Sequence, residues 1–582
     1  MGKIGPRMTL GESPPRIGGR LALVILVVAL LFSTFVRWRL RDMPLERDEG
    51  EYAYAGQLLL QGIAPYQLAC SMKLPGPHLA YALIMTAFGE TASGIHLGLW
   101  ATNAATMLLI FLLAKDLFDS LAGGIAAAAY SLLAVSSSVL GTAAHATHFV
   151  TLFAVAASWA LWRALWSEKG YLLFISGVLF GTAFLMKQHG VFLFGFGVLM
   201  IVVHYARLHP LAWQTLLSRL AVFAIGVVLP YAVICLWLWW AGVFDRFWFW
   251  TVTYSGSYAS EVSIATGAGY FWRQFTNFAT PNWPLLIAAV FGGGIVWTKG
   301  SQGARWFIYA YFAFSFLCLC PGFFFREHYF IVLLPALSIF CGVACSKLLC
   351  FAICWRAGDR SAERPRHQSG NMTSRAQRNA RERASEAAHA GAAVPGILLW
   401  PVAMILLAAA TVPVWRQREL FFLWTPRRAC QEIYTMNPFV ESLVIADYLS
   451  RHTTPEQRVA VIGSEPQLYF YAKRLSATGY IYTFELMEPT PFALQMQQEM
   501  CREIEAAKPE FLVYIHVDSS WLAEPDSNHF IYHWAARYVE DNYRPVGLAD
   551  IVSPTRTDYQ WGNQVAWAHP RSPQYVWIFQ RR

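Results

Sequence analysis

Charge is scarce in this chain. Only 14% of its 582 residues are Asp, Glu, Lys or Arg, and 56% are hydrophobic. A soluble protein of this length carries roughly a quarter charged residues, so an ordinary soluble enzyme is excluded. The net charge of +9 is therefore not a nucleic-acid footprint; its excess sits in loops, where it carries orientation information. Metal-type cysteine spacing is also missing, because the ten cysteines form no paired CxxC units. Seven of them lie within apolar runs. Cys70, Cys430 and Cys501 do not, and a Cys430–Cys501 bridge stays open on an oxidising side. Gly463 follows a strand-like segment but has no GxGxxG context, so no nucleotide site is implied. The apolar run 21–36 lacks a small-residue cleavage site and closes on Arg37, Trp38 and Arg39, which favours a retained span over a signal peptide.

Long apolar runs are what the chain has in abundance. About eleven are long enough to cross a bilayer, near 20–38, 95–114, 121–140, 147–166, 171–186, 190–206, 220–241, 284–298, 304–320, 329–354 and 394–414. Two shorter segments, 50–61 and 77–88, suit an interfacial position in the first loop. The leader 1–19 is basic (Lys3, Arg7, Arg16). The stretch 355–393 carries eight arginines and reads as a disordered cytoplasmic loop. Ten spans between them put both on the cytoplasmic side. Arg37, Arg39 and Arg41 run against that rule, and are expected to snorkel or to pair with Asp42 and Glu46.

Residues 415–582 have soluble composition. Strand-like runs at 458–465 and 510–518, a terminal YVWIFQRR and helical patterns at 441–452 and 491–507 predict a small α/β domain, placed outside the membrane by the span count. The fold class is thus a polytopic α-helical membrane protein, 20–414, with a C-terminal extracytoplasmic domain, 415–582.

On this map the unusual polar residues gather at the outer face: Asp48, Glu49 and Lys73, His145 and His148, Lys187 and His189, and Arg326, Glu327 and His328. Ionisable groups near membrane depth cost about 2.5–3.5 kcal/mol each at the bilayer centre and mark functional sites. Acidic and basic groups together suggest one polar site for a lipid-borne anion and a group that must lose a proton.

RDEGEYAYAGQLLLQGIAPY (47–66), MKLPGPHLAYALIMTAFG (72–89), FLMKQHGVFLF (184–194) and FREHYFIVLLPALSIF (325–340) resemble, in that order, the GT-C glycosyltransferases. The likeness is to the bacterial dolichyl-phosphate-mannose–protein mannosyltransferase family and the lipid A aminoarabinose transferase. The resemblance implies an inverting transfer of a hexose or pentose from a polyprenyl-phosphate donor. The acceptor would be a protein, lipid or cell-envelope glycan at the outer face of the bacterial inner membrane. It places Asp48 as general base with Glu49 beside it. Lys73, Lys187 and Arg326 would meet the phosphate, and Tyr52, Tyr54, His189, His328 and Tyr329 would be further substrate contacts. His145 and His148 replace an acidic residue that relatives carry, and Met72 replaces a Glu before the Lys. No cofactor is required by the motifs, a divalent metal is left open, and the bilayer is the one further partner.

Other readings accompany these. Asp48 and Glu49 suit the first turn of an interfacial helix. Lys73 and Lys187 suit headgroup snorkels, and Arg326 with its aromatic neighbours suits an interfacial anchor. His145 and His148, spaced i,i+3, would share a helix face. A lipid-linked saccharide flippase or transporter would also hold polar groups between spans, but broken mid-membrane helices and internal repeats are not evident.

Overall fold

A computed structural model of the chain describes residues 15–167, 169–206, 213–258, 260, 262–362 and 399–582. Most of the leader and most of the arginine-rich stretch lie outside these residues. The apolar runs become helices because hydrocarbon offers the backbone no hydrogen bonds of its own. They are α1 (Pro15–Leu40), α4 (Ala92–Leu117), α5 (Ser120–Ala134), α6 (Ala146–Ser167), α7 (Gly170–Met186), α8 (Val191–Ala206) and α9 (Trp213–Trp240), followed by Ile264–Lys299, Gln302–Leu317, Leu334–Ala362 and Leu399–Arg416. Seven helical stretches among the described residues are long and apolar enough to cross a membrane; α5 and α7 are shorter. The predicted interfacial segments are α2 (Arg47–Leu60) and α3 (Gly76–Phe88).

Exposure separates lipid-facing from packed surfaces. On α9, Ile225, Val228, Leu236 and Trp240 are exposed, whereas Phe223, Ile234 and Leu238 are buried. Small residues let α7 and α9 touch backbone to backbone: a Cβ on Gly177 would lie 2.3 Å from the Phe223 carbonyl oxygen. The arginines that run against the charge rule serve as hydrogen-bond donors to carbonyls. Arg37 donates to the carbonyls of Ala134 and Gly141, each at 3.0 Å. Arg39 reaches those of Leu420, Phe421 and Trp424. Only Arg41 pairs with Asp42, at 3.6 Å.

The C-terminal part holds a five-stranded mixed sheet: β1 (Val459–Ile462), β2 (Phe511–His516), β3 (Tyr543–Ser553), β4 (Arg556–Trp561) and β5 (Tyr575–Arg581), in the order β1-β2-β5-β3-β4. β1 and β2 pair in parallel across a helical connection that includes Ala493–Ala507; the other pairs are antiparallel. Cys430 and Cys501 are free thiols in separate apolar clusters, so the bridge left open above does not form.

This domain sits on α2. The Arg47 guanidinium pairs with Glu465 at 2.7 Å. The Tyr482 hydroxyl donates to the Arg47 carbonyl at 2.9 Å, and the Ser476 N–H donates to the Tyr54 hydroxyl at 2.8 Å.

Candidate active site

The site begins with how α2 starts. Glu46 is its N-cap: the Glu49 N–H donates to the Glu46 carboxyl at 2.8 Å, and Glu49 returns a bond to the Glu46 N–H, a capping box. Helical spacing then puts Asp48 and Glu51, three apart, on one face. Both reach the same cation. The Lys73 ammonium lies 2.6 Å from an oxygen of each. Lys73 is itself fixed by its neighbours, because the Tyr66 hydroxyl donates to its carbonyl at 2.8 Å and its N–H donates to the Ser71 hydroxyl at 3.1 Å.

Pro75 caps α3, and Gly76 lets that helix press on the end of α7, where a Cβ would sit 2.2 Å from the Leu185 carbonyl oxygen. This contact brings Lys187 into the site. The Gln188 side chain ties the two loops by donating to the Met72 carbonyl at 2.7 Å. The Lys187 ammonium stands 3.8 Å above the Tyr329 ring and 3.5 Å from His328 Nε2. Arg326 enters from the loop before Glu327, near the Tyr258 hydroxyl at 3.4 Å. The His145 ring stacks on His328 with centroids 4.2 Å apart. Its Nδ1 lies 3.7 Å from both Glu46 and Asp48.

A cavity of about 350 Å³ is bounded by Asp48, Tyr52, Lys73, Lys187, His189, Arg326, His328 and Tyr329, with Phe484 from the C-terminal domain. Eight of the twelve candidate site residues thus converge on it. Four do not line it, and of these His145 stands directly behind, against His328 and Asp48. Glu49 is fully buried and accepts from the Ala144 N–H at 2.6 Å and lies 3.0 Å from His96 Nε2; it fastens α2 to the bundle and does not face the cavity. Tyr54 meets Ser476. His148 turns inward to Asn103 at 3.3 Å. His145 and His148 therefore do not act as one pair, because His145 precedes α6 and His148 lies in its first turn. Glu327 accepts from Gln274 at 2.9 Å instead of pairing with a cation.

Glu51 is the residue sequence reasoning left without a role. The i,i+3 relation to Asp48 was its signal. Glu46 was read only as a partner for arginine, although its spacing to Glu49 spells the capping box.

Electrostatics sort the groups. Burial raises the Asp48 carboxyl, but the Lys73 charge and the His145 contact outweigh it and hold Asp48 well below the usual carboxylate range. Burial would lower Lys73, yet Asp48 and Glu51 keep it well above the usual ammonium value. Lys187 has no such carboxylate pair, and burial brings it down to about 7, with Asp48 opposing and Lys73 and Arg326 adding to the fall. Asp48, His145 and His328 bring three potential ligand atoms within 4.8 Å of one another. Lys73 touches the first and Lys187 the last, so side chains already supply the positive charge that a divalent cation would bring there.

The helical bundle, α2, α3 and the C-terminal domain together have the fold of a solved membrane protein, ArnT, to which the chain is similar. The crystal structure of ArnT from Cupriavidus metallidurans bound to undecaprenyl phosphate superposes with a TM-score of 0.58 at 14% identity, covering 96% of this chain and 98% of that one. Its apo state gives 0.55 at 15% identity over 96% and 98%. Archaeal oligosaccharyltransferase AglB from Archaeoglobus fulgidus, in complex with an inhibitory peptide and a dolichol-phosphate, is fainter, at 0.48 and 13% identity over 95% and 75%. Residues 73–240 match the sequence profile of the family described as dolichyl-phosphate-mannose-protein mannosyltransferase. No curated protein sequence matches significantly.

Proposed function

We propose that this protein is a membrane glycosyltransferase that moves a sugar from a polyprenyl-phosphate carrier to an acceptor outside the cytoplasm, with inversion, at a bacterial plasma membrane. One observation carries the reading. A carboxylate and two cations without carboxylate partners among the described residues face the same cavity.

In the reaction the anomeric carbon–oxygen bond breaks and its electron pair leaves on the phosphate. The leaving group is already anionic, so it needs charge stabilisation more than a proton. Lys187 and Arg326 are the groups free to give it. The acceptor oxygen bonds the anomeric carbon from the opposite face, and its proton passes to Asp48. A carboxylate with a depressed pKa is a weak base at rest. It stays ionised beside a sugar that becomes cationic, and the acceptor proton grows acidic as the new bond forms. Lys73, held by both Asp48 and Glu51, positions the base, and meets phosphate only by giving up a carboxylate. The likeness to a structure holding undecaprenyl phosphate supports a lipid phosphate as the leaving group.

The test uses the full-length protein in nanodiscs. Undecaprenyl phosphate should bind the wild type, and Lys187→Met or Arg326→Gln should weaken it about 10- to 150-fold, the equivalent of roughly 1.5–3 kcal/mol for a charge-assisted contact. Mass spectrometry of envelope glycans and glycolipids from cells with and without the protein should show one lost sugar modification. Unchanged lipid-phosphate binding in both variants would refute this placement of the phosphate.

A further inference from the structure

We infer that the bundle carries a second lipid site at the end opposite the candidate active site, and that this site seats a zwitterionic phospholipid by its ammonium head group. The inference goes beyond the proposed transfer reaction and does not rest on it.

Helix geometry separates the two places. α6 begins directly after His145 and runs for 22 residues to Ser167. At 1.5 Å per residue that is about 33 Å, enough to cross a hydrocarbon core. Among the far ends of α4, α6 and α8 and the start of the helix Gln302–Leu317 lies a cavity of about 580 Å³. It is larger than the cavity at Asp48 and falls within the roughly 300–1,000 Å³ typical of ligand pockets.

Its walls are aromatic. The rings of Trp162 and Trp166 stand 5.5 Å apart at 61°, those of Trp166 and His204 5.7 Å apart at 83°, and those of Trp162 and Phe307 5.2 Å apart at 74°. Trp306 adds a further wall. Rings set steeply to one another form a corner and not a stack, and a cation is drawn to the π faces of such a corner. An interfacial aromatic belt accounts for tryptophan at this depth. It does not account for tryptophans gathered around a carboxylate.

Asp116 is that carboxylate. Among the described residues that line the cavity it is the one Asp, Glu, Lys or Arg. The Trp159 side chain and Arg163 both donate to its Oδ2, at 3.1 and 3.2 Å, and no described residue donates to Oδ1. A primary ammonium carries three donors and can meet Oδ1 and the rings together.

Arg163 already balances Asp116, so the seat suits a head group that is neutral overall, provided the phosphate also finds a partner. The helix Gln302–Leu317 offers one. Ser301 caps it, its hydroxyl accepting the Ala304 N–H at 3.3 Å. The N–H groups of Gln302 and Gly303 have no described acceptor, and open N–H groups at a helix start attract phosphate. Gly303 joins the two halves of the seat: a Cβ there would lie 3.2 Å from the Trp166 ring and 3.7 Å from that of Trp162. A phosphatidylglycerol head group satisfies the helix start alone and leaves Asp116 and the rings without a cation.

The experiment is native mass spectrometry of the full-length protein in detergent, titrated separately with phosphatidylethanolamine and phosphatidylglycerol of the same acyl chains. The wild type should hold one phosphatidylethanolamine at least about tenfold more tightly than phosphatidylglycerol. Asp116→Asn removes the charge and keeps the shape, and Gly303→Leu drives a side chain between the two tryptophans. Each should weaken phosphatidylethanolamine by at least about tenfold and leave phosphatidylglycerol unchanged. Trp306, 44% exposed, is the wall least engaged in packing; Trp306→Leu therefore tests the cage even where another variant fails to fold, and should lose the same preference. Equal affinity of the wild type for the two lipids would overturn the inference. So would a preference for phosphatidylethanolamine that survives in Trp306→Leu or in any other folded variant of the three.

Discussion

Asp48 and Glu49 are adjacent in sequence and differ in everything else. One turns to the cavity, the other to Ala144 and His96. Asp48→Asn keeps shape and removes the base, so transfer at saturating donor should fall about 10²–10⁴-fold while donor binding persists. Glu49→Ala removes one side of a buried pair and should cost roughly 3–5 kcal/mol of stability, read as a lowered Tm in detergent; Glu49→Gln should be milder because it keeps an acceptor for the Ala144 N–H. Lys187 gives a pH signature. Burial lowers its pKa to about 7, and a diester phosphate beside it would favour its charged form. A bound donor therefore raises the Lys187 pKa, and a proton must be taken up whenever the pH is above 7. Donor affinity should fall between pH 7 and 9, by at most about tenfold per pH unit, and Lys187→Met should flatten that slope. The opposite slope, or an unchanged one in the variant, would remove Lys187 from the phosphate. Sequence alone singled out Asp48 and Lys187 because charge in an apolar chain is conspicuous. The family resemblance put the base on Asp48, but the two residues by themselves do not say which faces the cavity, since a helix turns neighbouring residues about 100° apart and tertiary packing sets the direction.

At the level of elements, α2 and α3 were legible in the sequence: both are apolar enough for an interface and too short to span. The helix Ile264–Lys299 was read as a span over 284–298 only. Its first turns carry Arg273, Gln274 and Asn277, which mask the helical pattern, and Pro281 and Pro284 lie inside it. The α/β domain was foreseen from β1, β2 and β5, but β3 and β4 were not. β4 is only half-buried along its length and reads RTDYQW, without the buried apolar run that marked β1. Packing between elements was invisible to composition, and Gly76 is the sharpest case. Gly76→Val would drive a side chain into the Leu185 carbonyl and push α3 off the end of α7. Overpacking of this kind costs about 1–3 kcal/mol. Because the same contact sets Lys73 against Lys187, donor affinity should drop more than Tm does. A variant with normal donor affinity would show that the two loops are positioned independently.

Across the whole molecule, orientation is the expectation to test. With Ser369→Cys and Thr555→Cys introduced singly into a chain without native cysteines, an impermeant thiol reagent applied to intact cells should label position 555 and spare 369; the reverse would put the site on the cytoplasmic side. The bond between Arg47 and Glu465 joins the two halves of the protein. Glu465→Ala should loosen the domain, lowering both Tm and transfer rate, with urea sensitivity of the domain as the direct measure. The roof has one more consequence, which concerns time. Phe484 bounds the cavity, and Tyr482 holds the carbonyl of Arg47, the first residue of α2. Those residues leave the ribosome more than four hundred positions after α2, when every apolar helix has already been made. A nascent chain holding the whole bundle still lacks Phe484 at the cavity and Tyr482 at the first residue of α2. On the proposed reading, transfer should therefore begin only once the C-terminal domain has been made.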